Sequence, residues 1–241
     1  IKVITDQDKI SFKTIFGKNY SLVVLLNGKD SCFIRISAKY EPAIRLAKSD
    51  RSYPDTIPFT LIGSRVHIPG RLNNGHSVTI QFDTGAGGTV VNKMVADQLG
   101  LRFDRKTMVT NSQGTNEARN SLGNTLNIGN MQWQNLAITE VGNMDAGEDI
   151  IIGTYLFRDK IIELDYDRKL MIISDTLPKK AKGYSAQPYK YHGGGNFKAT
   201  IRHNNQFFTY WFGFDTGRDG TMRIGQDFTR QNDNWNKLQP L

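Results

Sequence analysis

The chain has 241 residues, 38% of them hydrophobic, which is enough for one large domain or two modest ones around a buried core. No apolar run reaches the roughly 18 residues that a membrane-spanning helix needs, so the sequence predicts no membrane span. The net charge of +8 would suit an anionic partner, but the Lys and Arg residues are scattered except at 177–184, and no nucleic-acid-binding motif accompanies them. We therefore expect no nucleic-acid partner.

The first residue and the number of cysteines bear on the location of the protein and on its chemistry. The sequence begins at Ile1 rather than Met, which favours an exported protein (periplasmic, at the cell surface or secreted) whose leader has been removed; artificial trimming is the open alternative. Cys32 is the single cysteine, so an intrachain disulfide is excluded and metal or redox chemistry has little support. We expect no metal and no organic cofactor.

The elements taken in chain order predict a mostly-β protein, because short runs of Val, Ile, Phe, Tyr and Thr alternate with Gly- and Asn-rich turns. An Asn-Gly pair at 27–28 between apolar runs predicts a hairpin near the start. A polar stretch around Gly114 predicts a second, exposed hairpin, and a Pro-, Gly- and Lys-rich stretch predicts a linker. The predicted organisation is an N-terminal β segment at 1–55, a β-barrel lobe at 56–176, a linker at 177–196 and a partial second lobe at 197–241.

Two eight-residue segments of the chain have nearly the same sequence. Residues 82–89 read FDTGAGGT and residues 214–221 read FDTGRDGT, identical at six of eight positions. Asn73 and Asn205 each precede the Asp by ten positions. This pattern predicts an internal repeat with a carboxylate at its centre.

The stretch DTGAGG resembles the catalytic turn of pepsin-like and retropepsin-like aspartic proteases. The resemblance extends over about residues 56–175: DIIIG at 149–153 is similar to the hydrophobic-hydrophobic-Gly element that passes beside the catalytic turn, and the hairpin around Gly114 stands where the family carries a flap. The resemblance implies an acid-protease-like β-barrel lobe and an aspartic endopeptidase that hydrolyses peptides or proteins.

Such an enzyme works with two carboxyl groups. Held about 3 Å apart, they cannot both ionise readily, so they share a proton and supply both a base and an acid. The resemblance implies that Asp83 and Asp215 form this pair and that the Thr84 hydroxyl reaches across to the opposite turn. The residues expected to support the pair are Thr84, Gly85, Thr216 and Gly217, and those expected to contact substrate are Ala86, Ser112, Gln113 and Gly114.

The second copy departs from the family pattern in two ways. Arg218 stands where a small residue is expected, and a cation there would lower the pKa of the pair. Only 26 residues follow Asp215, and they contain no second hydrophobic-hydrophobic-Gly element. The chain is therefore the front part of a longer two-lobed protease, or has a reduced second lobe, or pairs with a second copy so that two Asp83 residues meet. A peptide-binding module that has lost the chemistry is the alternative function.

Overall fold

A computed structural model provides the structure of the chain. It describes residues 2–4, 9–11, 13–15, 18–26, 30–37, 44–49, 54–73, 75–111, 114–191, 195–203, 205–220, 222–232 and 235. The chain divides into two compact units, Ile1–Ala43 and Ile44–Leu241. Within the described residues, no helix is long and apolar enough to cross a membrane.

The first unit consists of two antiparallel strand pairs. Strand β1 (Lys2–Ile4) pairs with β2 (Lys9–Ser11), and β3 (Asn19–Leu26) pairs with β4 (Asp30–Ser37). Leu26 lies opposite Asp30, so the second pair is a hairpin. The Asn-Gly turn predicted at 27–28 lies outside the described residues, as does the side chain of Cys32.

The second unit is built almost entirely from strands, and the prediction of a mostly-β protein is confirmed. Its strands are β5 (Arg45–Ser49), β6 (Asp55–Pro58), β7 (Thr60–Ile62), β8 (Arg65–Leu72), β9 (His76–Phe82), β10 (Thr89–Asn92), β11 (Phe103–Asn111), β12 (Gly114–Ile128), β13 (Met131–Val141), β14 (Ile150–Ile152), β15 (Ile161–Asp165), β16 (Leu170–Ser174), β17 (Tyr189–Tyr191), β18 (Gly195–His203) and β19 (Gln206–Gly213). Among its described residues, the helices are three 3-10 turns, Ala96–Gln98, Thr154–Phe157 and Lys179–Gly183, and the α-helix α1 (Gln226–Gln231).

The boundaries between the units differ from the predicted ones. Strand β5 pairs with β13 and strand β6 pairs with β16, so Arg45–Ser49 and Asp55 contribute to the second unit rather than to an N-terminal segment. Strand β17, inside the predicted linker, pairs with β18. Short strands that pair with distant segments of the chain are not recognisable from their own residues, because the pairing partner decides that they are strands.

Six strands of the second unit form a closed sheet. The order is β12, β13, β10, β14, β9, β8, and β8 pairs with β12 again where Leu72 lies opposite Leu126. Strand β14 lies parallel to β9 and antiparallel to β10. The short apolar strand Ile150–Ile152 is thus placed next to the strand that ends at Asp83.

The interior of this sheet is apolar and tightly packed. In the sequence of β9, Val78, Ile80 and Phe82 alternate with polar residues, which predicts one buried and one polar face. The three apolar side chains are buried as predicted, but Gln81 on the polar face is also buried, with only 2% of its surface exposed. A buried amide needs a hydrogen-bond partner, and the partner of Gln81 lies in the candidate site.

A second, smaller hydrophobic core lies between the last three strands and α1. Strands β17, β18 and β19 form a three-stranded sheet, and Phe208 and Phe212 of β19 pack against Phe228 of α1. The dense aromatic spacing at 207–214 predicts core packing, but Phe207 and Phe214 are exposed. This sheet and α1 hold the strand that leads into Asp215.

Candidate active site

The two repeated segments form two turns of the same construction. Strand β9 ends at Phe82, directly before Asp83, and strand β19 ends at Gly213, two residues before Asp215; each is the second strand of a hairpin. In the first turn, the Gly85 N–H donates to Asp83 Oδ1 at 2.7 Å; in the second, the Gly217 N–H donates to its own aspartate, at Oδ1, at 3.0 Å. Each aspartate is thus oriented by the backbone two residues later.

The two turns face each other, and their carboxyl groups meet. A Cβ built on Gly85 would lie 3.0 Å from the Asp215 Cγ, and one built on Gly217 would lie 2.6 Å from Asp83 Oδ1. Only a residue without a side chain allows such an approach. The two glycines therefore allow each turn to back onto the carboxyl group of the other.

Four hydrogen bonds between the threonines and the opposite turns join the two sides. The Thr84 hydroxyl accepts from the Thr216 N–H at 3.0 Å and donates to the Phe214 carbonyl at 2.6 Å. The Thr216 hydroxyl accepts from the Thr84 N–H at 3.1 Å and donates to the Phe82 carbonyl at 2.9 Å. Both threonines are buried, so these bonds are shielded from water and fix the two aspartates relative to each other.

The electrostatics of Asp83 follow from this arrangement. Burial, the neighbouring Asp215 charge and a hydrogen bond between the two side chains together raise its pKa from 3.8 to about 6, while the N–H groups of Gly85 and Ala86 act against the rise. The expected lowering by Arg218 is wrong for Asp83: the pKa moves in the opposite direction, and Arg218 is not among the groups that shift it. A proton held between two carboxyl groups belongs to the pair.

The backbone of the stretch DIIIG contacts the backbone of the first turn. The Ile152 carbonyl accepts from the Asp83 N–H at 2.9 Å. The Gly153 backbone lies directly against the Ala86 carbonyl, where a side chain would not fit. The position of this element beside the turn agrees with what the resemblance implies.

A cleft of about 900 Å³ opens over the pair. Its walls include Ala86 and, from the hairpin of β11 and β12, Met108 and Val109. Ser112 and Gln113, predicted to contact substrate at the tip of this hairpin, lie outside the described residues. Gly114 is exposed with φ of +113°, and it does not line the cleft. The strand before the tip, rather than Gly114, therefore faces the pair.

Sequence reasoning missed the residues that anchor the second turn. The Gln81 amide donates to the Gly217 carbonyl at 3.0 Å. The Ser64 N–H and hydroxyl donate to Asp219 Oδ1 at 2.8 and 2.7 Å, and the Ser64 hydroxyl also lies 3.3 Å from the Arg218 carbonyl. No sequence motif marks these contacts, because they join positions more than 130 residues apart.

A cluster of charged residues continues from this anchor. Arg65 Nη1 lies 2.8 Å from Glu148 Oε1, Nη2 lies 2.9 Å from Asp145 Oδ2, and Nε lies 3.2 Å from Asp219 Oδ2. The buried His67 ring also contacts Glu148 Oε1, at 3.1 Å. A buried carboxylate such as Glu148 requires charge partners. A Glu placed directly before the apolar DIIIG stretch is the one signal that could have marked it.

The described residues contain no group of three or more His, Cys, Asp or Glu side chains placed to hold a metal ion. What the site offers is a pair of carboxyl groups in a cleft, one of them with a raised pKa. Such a pair can hold a water molecule and move protons in both directions.

Comparison with known proteins agrees with this geometry. Residues 68–159, less than half of the chain, match the family model described as gag-polyprotein putative aspartyl protease. The match confirms the resemblance to retropepsin-like aspartic proteases, and this part of the chain is similar to an aspartic protease. It contains Asp83 but not Asp215.

Among solved structures, the crystal structure of a retropepsin-like aspartic protease from Rickettsia conorii is similar to the chain. The similarity covers 56% of this chain and 95% of that one, with 21% sequence identity and a TM-score of 0.37. No curated protein matches the chain.

Proposed function

We propose that the protein is an aspartic endopeptidase in which Asp83 and Asp215 activate water. The observation that carries the proposal is the reciprocal set of threonine hydrogen bonds that holds two carboxyl groups in contact within one chain. A turn with no chemical role has no need for a second carboxyl group in contact with the first, since two like charges held together repel each other.

In the proposed reaction, the ionised member of the pair accepts a proton from water as the water oxygen bonds to the peptide carbonyl carbon. The protonated member donates its proton to the carbonyl oxygen, giving a tetrahedral diol. The C–N bond then breaks as the pair donates a proton to the amine nitrogen and accepts one from a hydroxyl group of the diol, whose oxygen becomes the carbonyl oxygen of the new carboxyl group. The pair ends with one proton, as it began.

The substrate is proposed to be an extended peptide lying in the cleft between the pair and the hairpin of β11 and β12. An extended segment can add its backbone to a strand edge, and side chains along it then reach the walls. Both carboxyl groups come from the same chain, so neither a second copy nor a second complete lobe is required to form the pair. A homodimer built on two Asp83 residues is therefore not part of the proposal.

The proposal predicts a characteristic pH profile for cleavage of an unfolded protein. The pair must carry one proton, and it loses that proton as the pH rises through about 6, the pKa of Asp83. We expect cleavage to be fastest at mildly acidic pH and to fall about tenfold per pH unit well above that value. Product formation followed by mass spectrometry from pH 3 to 8 measures the profile.

Complete absence of cleavage over this range, with no binding of a peptide that carries a transition-state-like hydroxyl group, would contradict the proposal. The chain would then be a peptide-binding module that keeps the cleft without the chemistry. Arg218, in place of a small residue, and the short second copy are the features that favour this alternative. Cleavage that increases steadily up to pH 8 would contradict the carboxyl pair as its source.

A further inference from the structure

The two turns that meet at the pair are alike up to the glycine and then differ in charge. After Gly85 the first turn continues with Ala86 and Gly87, which are small and neutral. After Gly217 the second turn continues with Arg218 and Asp219. The cleft is therefore asymmetric across the pair, although the pair itself is nearly symmetric.

The backbone that carries Arg218 is held on both sides. The Gly217 carbonyl before it accepts from Gln81, its own carbonyl lies 3.3 Å from the Ser64 hydroxyl, and Asp219 after it accepts from Ser64. The Arg218 side chain is exposed and lines the cleft. A guanidinium on a fixed backbone loses less conformational freedom when it binds a ligand.

Two carboxylates that could pair with Arg218 already form ion pairs with another residue. Asp219 and Glu148, which both line the cleft, are ion-paired with Arg65. Arg223, exposed, adds a second guanidinium to the same wall. In the part of the chain that the structure describes, no ion pair joins Arg218 or Arg223 to a carboxylate. This side of the cleft thus presents two cations to whatever enters it.

We infer that the wall formed by Arg218 and Arg223 is a subsite for a peptide carboxylate, so that the protein selects peptides with an Asp or Glu next to the bond that is cut. A guanidinium binds a carboxylate through two parallel N–H···O bonds, which gives both attraction and orientation. The opposite wall of the cleft, at Ala86 and Gly87, is neutral and therefore does not select for a charged side chain. The inference rests on the proposed function and adds its substrate class.

The test uses amidated peptides built around one bond that the protein cuts in an unfolded protein. Glu or Gln is placed in turn at each of the three positions on either side of the bond, and kcat/KM is measured for each pair. At one position we expect Glu to be preferred over Gln by about five- to tenfold, as for a charge-assisted contact at a partly exposed site. A Gln peptide with a free C-terminal carboxylate shows whether the group is recognised on a side chain or at a chain end.

Three variants assign the preference. Arg218→Ala should bring the Glu-to-Gln ratio close to one, and Arg218→Glu should make Gln the better residue. Arg102→Ala removes an exposed arginine that does not line the cleft, and should keep the wild-type ratio. Equal rates for Glu and Gln at every position, or a preference that survives Arg218→Ala, would overturn the inference while leaving the protease intact.

Failure of the proposed function gives a different result. If no peptide is cut at any pH, binding of the same fluorescently labelled peptides is measured by anisotropy. Tighter binding of the Glu peptide that Arg218→Ala abolishes supports the carboxylate subsite without catalysis. Equal binding of the Glu and Gln peptides overturns it.

Discussion

Asp83→Asn and Asp215→Asn are each expected to lower kcat/KM for an unfolded protein substrate by about 10³, the middle of the usual range for loss of a general acid or base. An amide can neither accept a proton from water nor return one to the leaving amine. Because the two carboxyl groups act as one unit, the double variant should be no worse than either single variant by more than a small factor. Initial rates at mildly acidic pH measure the loss.

The control for this prediction is Asp167→Asn, which removes an exposed carboxylate from the turn between β15 and β16. It should cleave as the wild type does. Wild-type activity in Asp215→Asn, together with loss in Asp83→Asn, would contradict the pairing within one chain and would favour two Asp83 residues from two copies.

The same pair is expected to make the stability of the second unit depend on pH. The folded-state pKa of Asp83 is raised from 3.8 to about 6, so the favourable contribution of its proton is complete below pH 3.8 and is lost as the pH rises through 6. Two pKa units correspond to about 3 kcal/mol. Asp83→Asn, which never ionises, should therefore gain up to about 3 kcal/mol in free energy of unfolding relative to the wild type between pH 4 and pH 8.

Chemical denaturation followed by tryptophan fluorescence measures this difference, because Trp133, Trp211 and Trp235 all lie in the second unit. For Asp167→Asn the difference from the wild type should change little between the two pH values. An Asp83→Asn variant whose advantage is the same at pH 4 and pH 8 would show that the carboxyl group is not held in its neutral form by the fold.

Much of the site could be predicted from the sequence where the signal was local. Asp83 ends an alternating strand and is followed by Thr and Gly, so its turn and its neighbours could be named in advance. The repeat of the same letters at Asp215 predicted a second turn of the same construction. The DIIIG stretch could be placed beside the first turn only through its resemblance to the hydrophobic-hydrophobic-Gly element of aspartic proteases.

What could not be predicted depends on contacts between distant parts of the chain. Gln81 was assigned to a polar face, because alternation cannot show that a second turn covers that face. The anchor from Ser64 to Asp219 and the ion pairs of Arg65 join segments that share no pattern. The pKa of Asp83 was predicted to be lowered by Arg218 but is raised, because burial and the neighbouring Asp215 dominate it, and neither is visible in the local sequence.

The fold was predicted at the level of its strands and not at the level of its boundaries. Closure of the six-stranded sheet depends on the pairing of Leu72 with Leu126, which lie 54 residues apart. Strand β5 joins that sheet through β13 although it lies within the predicted N-terminal segment. Such pairings are decided by the tertiary contacts of each strand rather than by its own residues.

A carbon-detected NMR titration of the Asp83 carboxyl group would probe the shared proton itself. In the wild type we predict a midpoint at about 6, and in Asp215→Asn a lower midpoint, since the second charge and the hydrogen bond between the side chains are gone. A wild-type midpoint near the ordinary value of 3.8, or one that Asp215→Asn leaves unchanged, would contradict a proton held between these two groups.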